Sequence, residues 1–179
     1  MPKIHLFGAS GSGVSTLGAA LGERLSIPVF DCDSYYWEPT DPPFLKATSI
    51  PDRQQALLLD LKPHESWICS GSMDSWSEPL EPLFTHLVFL YVPSEIRAER
   101  LRAREKKLWG DRILPGGDMH AEHLKFVSWA QQYDEGKLGG RSLPRHNAWL
   151  ARQTAPVIKI EGAPRVDEAV ERVLAFLRA

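Results

Sequence analysis

Cys32 and Cys69 are the only cysteines in the chain. Two are too few for a disulfide framework or a four-cysteine zinc site, and both are expected to stay reduced in a cytoplasm. No apolar run approaches the roughly 18 residues that span a bilayer, and the N-terminus lacks the long apolar stretch of a signal peptide. The chain therefore reads as soluble and cytoplasmic. Neither sign of charge is in excess: 21 basic residues stand against 23 acidic ones, a formal net charge of -2. Without a basic field there is no case for a nucleic-acid or membrane-surface partner, and small molecules are the expected ligands. Internal repeats and low-complexity segments are absent too, so the 179 residues, 43% of them hydrophobic, are expected to bury one core as a single domain, 1–179.

What the chain does have is concentrated at its start. Lys3 to Phe7 is a short apolar run ended by Gly8, and Leu17, Leu21 and Leu25 recur four apart, which predicts strand, glycine loop, helix. The loop is Gly8-Ala9-Ser10-Gly11-Ser12-Gly13-Val14-Ser15-Thr16. Successive backbone N–H groups bent inward by glycines form an anion-binding concavity, and the N-terminus of the next helix adds positive field. Gly8 and Gly13 have the spacing of the phosphate-binding pattern G-x-x-x-x-G-K-[ST], and Ser15 stands where a Mg²⁺-binding hydroxyl belongs. The lysine of that pattern is missing, because Val14 occupies its position.

Further strands are predicted at Ile27–Phe30, Trp67–Gly71, Leu87–Val92 and Pro156–Ile160, and helices over Pro51–Leu61, Ser94–Leu108 and the stripe from Val166 to Leu177. Five strands alternating with helices predict an α/β fold, a five-stranded parallel sheet with helices on both faces. The run Leu87–Val92 is apolar throughout, as a strand covered on both sides should be. Asp31 and Asp33 follow the second strand, where alternation would place them on one side. Three prolines make 34–44 a stiff aromatic loop, with Tyr35, Tyr36 and Trp37 as a pocket wall. Arg97, Arg100 and Arg104 line one helical face. From 109 to about 145 periodicity fades and glycines flank a helical stretch near His120–Tyr133, which reads as a movable lid; Arg141–Arg152 is expected to be helical. His120 and His123 are spaced as metal ligands but have no third ligand in register.

With the loop, Asp31-Cys32-Asp33 and the segment Glu99-Arg100-Leu101-Arg102-Ala103-Arg104 in view, the chain resembles the P-loop kinases of the adenylate kinase and shikimate kinase group, as an atypical member without the P-loop lysine. The resemblance implies that ATP with Mg²⁺ binds at Gly8 to Thr16, Ser15 and Asp31 holding the ion. It implies that Asp33 contacts the acceptor hydroxyl, that Arg100 lies against the adenine, and that Arg104 and the lid residues Arg141 and Arg145 meet phosphate charge. Partners would be a nucleoside triphosphate and a small acceptor, with the chain a monomer or homodimer. Lys46, Arg53 and Lys62 are the only cations from Ser34 to Trp76. That poverty disfavours a phosphate-bearing acceptor and favours a neutral or cationic hydroxyl compound facing Asp33, Asp74 and the aromatic wall. Two alternatives remain open: a nucleotide-binding sensor without catalysis, which Val14 favours, and an NAD(P)-dependent oxidoreductase, since Gly8-x-x-Gly11-x-Gly13 and Tyr133-x-x-x-Lys137 imitate dinucleotide-enzyme patterns.

Overall fold

Alternate residues of a strand face opposite sides, and the apolar runs of this chain carry large apolar residues at both parities, so each strand has to be covered twice. The computed structural model, which describes residues 1–179, meets that demand with five strands: β1 (Lys3–Gly8), β2 (Val29–Asp31), β3 (Trp67–Ser70), β4 (His86–Tyr91) and β5 (Val157–Glu161). They form one parallel sheet in the order β2-β3-β1-β4-β5. Seven helices accompany it: α1 (Val14–Leu25), α2 (Cys32–Tyr36), α3 (Ile50–Leu61), α4 (Ser94–Trp109), α5 (His120–Gln131), α6 (Leu143–Leu150) and α7 (Val166–Phe176).

The two parities separate into two cores. Ile4, Leu6, Ile68, Val88 and Leu90 pack with Leu17 and Leu21 of α1 and with Val170, Val173 and Leu174 of α7. Phe7, Trp67, Cys69, Leu87 and Phe89 pack with Leu57 and Leu61 of α3, Trp149 of α6, and Met73, Trp76 and Leu80 from the segment after β3. Each such side chain contributes roughly 1.5–3 kcal/mol when taken out of water. His5 has the parity of the second core; its buried ring stacks on Phe7 and Phe84 at 4.9 and 5.1 Å. Cys32 and Cys69 are buried free thiols. No helix is long and apolar enough to cross a membrane.

β1 is the central strand, flanked by β3 and β4. That order corrects the dinucleotide alternative, because a dinucleotide-binding sheet sets its second strand beside the first, in the order 3-2-1-4-5-6. Its second support also separates: Tyr133 is buried against His146, whereas Lys137 is exposed and paired with Glu135. Three other expectations shift. The chain turns helical at Cys32, so Asp31 is a cap and Asp33 a first-turn residue, and strand alternation no longer relates them. The prolines are left to the loop that follows α2, which contains a cis Asp41-Pro42 peptide. Ser142 caps α6 by accepting the Arg145 N–H, which leaves Arg141 in the preceding loop instead of in a helix.

Candidate functional site

The loop from Gly8 to Thr16 leaves the C-terminal end of the central strand and enters α1, with Gly13 in the left-handed region (φ 96°) as the residue before the helix. Its side chains add no cap, and the first satisfied amide of α1 is that of Leu17, bonded to the Gly13 carbonyl at 2.9 Å. The N–H groups of Val14, Ser15 and Thr16 have no helical acceptor, so they remain donors for an anion. Two glycines are dictated by space. A Cβ on Gly8 would lie 2.4 Å from the Leu90 carbonyl oxygen, and Gly11, at φ 79°, would place one 2.7 Å from the Arg97 carbonyl oxygen. Gly11→Ala combines a left-handed backbone with a backbone clash, so it is expected to lower stability by about 2 kcal/mol or more. A urea midpoint equal to that of the wild type would refute this.

Val14 contributes no charge to the loop and packs back against its first residue, Gly8. It is buried among the apolar residues of β1, β4 and α1, and a Cβ on Gly8 would be 3.3 Å from its Cγ2. Positive charge reaches the loop from elsewhere. The arginine stripe of α4 divides by depth. Arg97, 1% exposed, donates to the carbonyls of Val92 and Ala130 and to Asp134 at 2.9, 3.2 and 2.7 Å. Arg100 donates to the Ser12 carbonyl at 3.3 Å. Arg104 makes no hydrogen bond to the loop; it pairs with Glu105 at 3.2 Å and lies over the Phe126 ring. Beside Arg100 opens a cavity of about 270 Å³ lined by Gly13, Thr16, Leu90, Val92, Ala163 and Pro164, among others.

The second cation comes from the far end of the chain. Arg141 points one guanidinium nitrogen at the Ser10 hydroxyl, 3.5 Å away, and another at Asp33, 3.7 Å away, while its plane lies over Trp129. Asp33 is exposed, and its backbone N–H donates to Asp31 Oδ1 at 3.0 Å. Burial raises the Asp31 carboxyl above its ordinary range; the Asp33 N–H and Arg141 lower it, and the Asp33 charge adds to the rise. Arg145 is committed to Asp74 by an ion pair. His120 bonds to the Ile113 carbonyl and His123 lies 3.6 Å from Glu105 of α4, so the two histidines face separate protein partners and do not converge on one site.

Sequence reasoning missed a buried polar chain beside this cleft. Tyr133 Oη is 2.8 Å from His146 Nδ1, His146 Nε2 is 2.9 Å from Ser72 Oγ, and the Ser72 hydroxyl donates to Asp74 at 2.8 Å. One assignment satisfies all three contacts: Tyr133 donates to Nδ1 and Nε2–H donates to Ser72. Burial pushes the His146 pKa down to about 3 and raises that of the Tyr133 hydroxyl, so neither carries charge near neutrality. Nothing local announces the chain, because Ser72 and His146 are 74 residues apart.

No protein-family model matches the chain. Its fold is similar to those of a gluconokinase from Sinorhizobium meliloti 1021 (20% identity, TM-score 0.56, covering 97% of this chain and 90% of that one) and a shikimate kinase from Bacteroides thetaiotaomicron (20%, 0.54, 99% and 99%). A deoxyadenosine kinase from M. mycoides with bound dATP aligns over the full length of both chains at 15% identity and a TM-score of 0.54. These likenesses identify a P-loop kinase-like fold. In sequence, the uncharacterized protein YqaC of Bacillus subtilis (strain 168) is 43% identical over 175 residues, 98% of this chain and 97% of that protein.

Proposed function

The chain belongs to the family of the Bacillus subtilis protein YqaC, and we propose that it binds a nucleoside triphosphate with Mg²⁺ and transfers the γ-phosphoryl group to a small hydroxyl-bearing acceptor. The observation that carries this reading is the approach of two arginines to different parts of one glycine loop: Arg100 at Ser12, beside the cavity, and Arg141 at Ser10, beside Asp33. A nucleotide with its base in the cavity and its phosphates along the loop would bring its last phosphate to Arg141 and Asp33.

In this reading the acceptor oxygen attacks the γ-phosphorus, its proton passes to Asp33, and the bond to the β-phosphate breaks to release the diphosphate. Arg141 neutralises charge on the transferred group, and Arg100 holds the nucleotide end. Arg145 and Arg104 are secondary: the first is held by Asp74, and the second faces Glu105. Ser15, through its hydroxyl, and Asp31, through water, would hold Mg²⁺, which would supply charge neutralisation on the phosphate oxygens. The donor set fits that ion. One hydroxyl and one carboxylate suit Mg²⁺, which is commonly bound by one or two carboxylates together with substrate phosphates. Residues 109–145 would be the lid that excludes water.

Two of the three cations between Ser34 and Trp76 are already engaged by protein groups, which favours a non-phosphorylated acceptor. Lys46 is paired with Glu38 at 2.8 Å, and Arg53 is buried, with two of its nitrogens on the Thr48 carbonyl and its plane 4.0 Å from the Tyr36 ring centroid. A second reading, binding without transfer, draws on the burial of Val14, since removal of one preorganised donor lowers rates roughly 10²–10³-fold. Consumption of ATP in the presence of hydroxyl acceptors separates the two.

The test of the shared premise is calorimetric titration with ATP and Mg²⁺, beside NADPH. Binding is expected to depend on Mg²⁺ and to weaken about tenfold in Ser15→Ala, a loss of about 1.4 kcal/mol. Absence of ATP binding, or tighter binding of NADPH, would remove the kinase reading.

A further inference from the structure

A cation at the end of a glycine-rich loop is a poor ligand unless something fixes the loop. Arg141 sits in such a segment, with Gly136, Gly139 and Gly140 all at positive φ. Yet the segment is tied at both ends. At its start, Arg97 grips the Ala130 carbonyl and the Asp134 carboxylate. At its close, the Leu143 N–H donates to the Tyr133 carbonyl at 2.8 Å, which makes residues 133–143 a closed loop. Near its middle, Trp129 Nε1 donates to the Gly139 carbonyl at 3.1 Å.

We infer that Tyr133, His146 and Ser72 are positioning residues for Arg141: their buried hydrogen-bond chain locks the Arg141 loop to the segment after β3, so that the guanidinium stands ready at the γ-phosphate end of the glycine loop before nucleotide arrives. The placement supports this directly. Tyr133 opens the loop, His146 follows its close in the first turns of α6, and Ser72 is a buried residue in the segment that follows β3. All three are buried or nearly so, where hydrogen bonds are strong and a missing partner is costly. The imidazole has no spare nitrogen: one accepts from the loop's first residue and the other donates toward the sheet. His146 is therefore a two-sided connector, and Asp74, which accepts the Ser72 hydroxyl, ends the chain at the Arg145 ion pair. The movable part of the lid then lies within 109–132, and the arm that carries Arg141 stays in place.

This inference rests on the reading of Gly8 to Ser15 as a triphosphate site, and its test separates the two. Affinities for Mg·ATP and Mg·ADP are measured by calorimetry in the wild type, Tyr133→Phe, Ser72→Ala and Arg141→Ala, and in both double variants with Arg141→Ala. Tyr133→Phe keeps the ring over which Arg97 lies, 4.9 Å from its centroid, and removes only the hydroxyl. If the arm is then in place roughly a tenth of the time, apparent ATP affinity falls about tenfold. ADP, which lacks the phosphate that Arg141 meets, is expected to bind unchanged. In the Arg141→Ala background neither Tyr133→Phe nor Ser72→Ala should move the ATP-to-ADP ratio further. A loosened fold alone would weaken both nucleotides together, and urea midpoints report it. An unmoved ratio in either variant that folds, or an equal fall with Arg141 already removed, overturns the inference while leaving the triphosphate site standing. A wild type that binds neither nucleotide overturns both.

Discussion

Acidification from pH 7 to pH 4 is expected to remove on the order of 5 kcal/mol of stability, through two histidines that the fold keeps neutral. Burial lowers His5 to about 4 and His146 to about 3, from an ordinary 6.5. As pH falls below about 6.5 the unfolded chain takes up protons on both residues while the folded chain does not. The stabilisation is therefore complete above about pH 6.5 and is lost as pH falls toward the folded values, at about 1.4 kcal/mol per pH unit for each histidine. Glu81, held low by hydrogen bonds from Ser77, Gln153 and Trp149 against the opposing effect of burial, adds to the loss at the acid end; the raised Asp31 acts against it. Both rings sit in the aromatic core, His5 among Phe7, Phe84 and Trp149 and His146 edge-on to Phe7 and Phe89, so a proton on either has nowhere to be solvated. Urea midpoints at pH 7, 5.5 and 4.5 measure the effect. His5→Phe, which keeps the stack and removes one titrating group, should halve the slope. A midpoint constant across that range would show that the histidines do not govern acid stability.

If the chain carries out the γ-phosphoryl transfer proposed above, Arg141→Ala is expected to lower its rate by about 10²–10³-fold, 3–4 kcal/mol of transition-state stabilisation, the typical effect of deleting one preorganised donor. The reason is specific to this chain. With Val14 buried where a lysine would stand, Arg141 is the cation directed at the Ser10 end of the loop and at Asp33, whereas Arg100 serves the Ser12 end. Phosphoryl transfer depends on placed charge more than on covalent help, so loss of this cation has few substitutes. Arg141→Lys should recover only part of the rate, since an ammonium cannot reproduce the planar fork. Arg104→Ala, whose guanidinium faces Glu105 and Phe126 and makes no hydrogen bond to the loop, should change the rate by less than about threefold. Formation of ADP from Mg·ATP that depends on the supplied hydroxyl acceptor reads all three variants. More than a tenth of the wild-type rate remaining in Arg141→Ala would displace Arg141 from this role.

The sequence by itself determined what depends on neighbours along the chain. The strand, glycine loop and helix at 3–25 follow from an apolar run, glycine spacing and a four-residue repeat, and the Ser49-capped helix at 50–61 and the apolar stripe of 166–176 from the same local rules. Apolar residues at both strand parities already required helices on two faces, and the sheet has them. Tertiary structure alone decided which strands are neighbours, and with that the choice between a P-loop order and a dinucleotide order that share the same glycines. It decided among three arginines on one helical face, sending Arg97 inward, Arg100 to the loop and Arg104 outward, because burial depends on what packs above a helix and not on its own periodicity. It alone joined His146 to Ser72, 74 positions away, and Arg141 to Ser10, 131 positions away, and to Asp33: polar contacts at such separations leave no periodic trace, since their partners meet only after the sheet has brought the strand ends together.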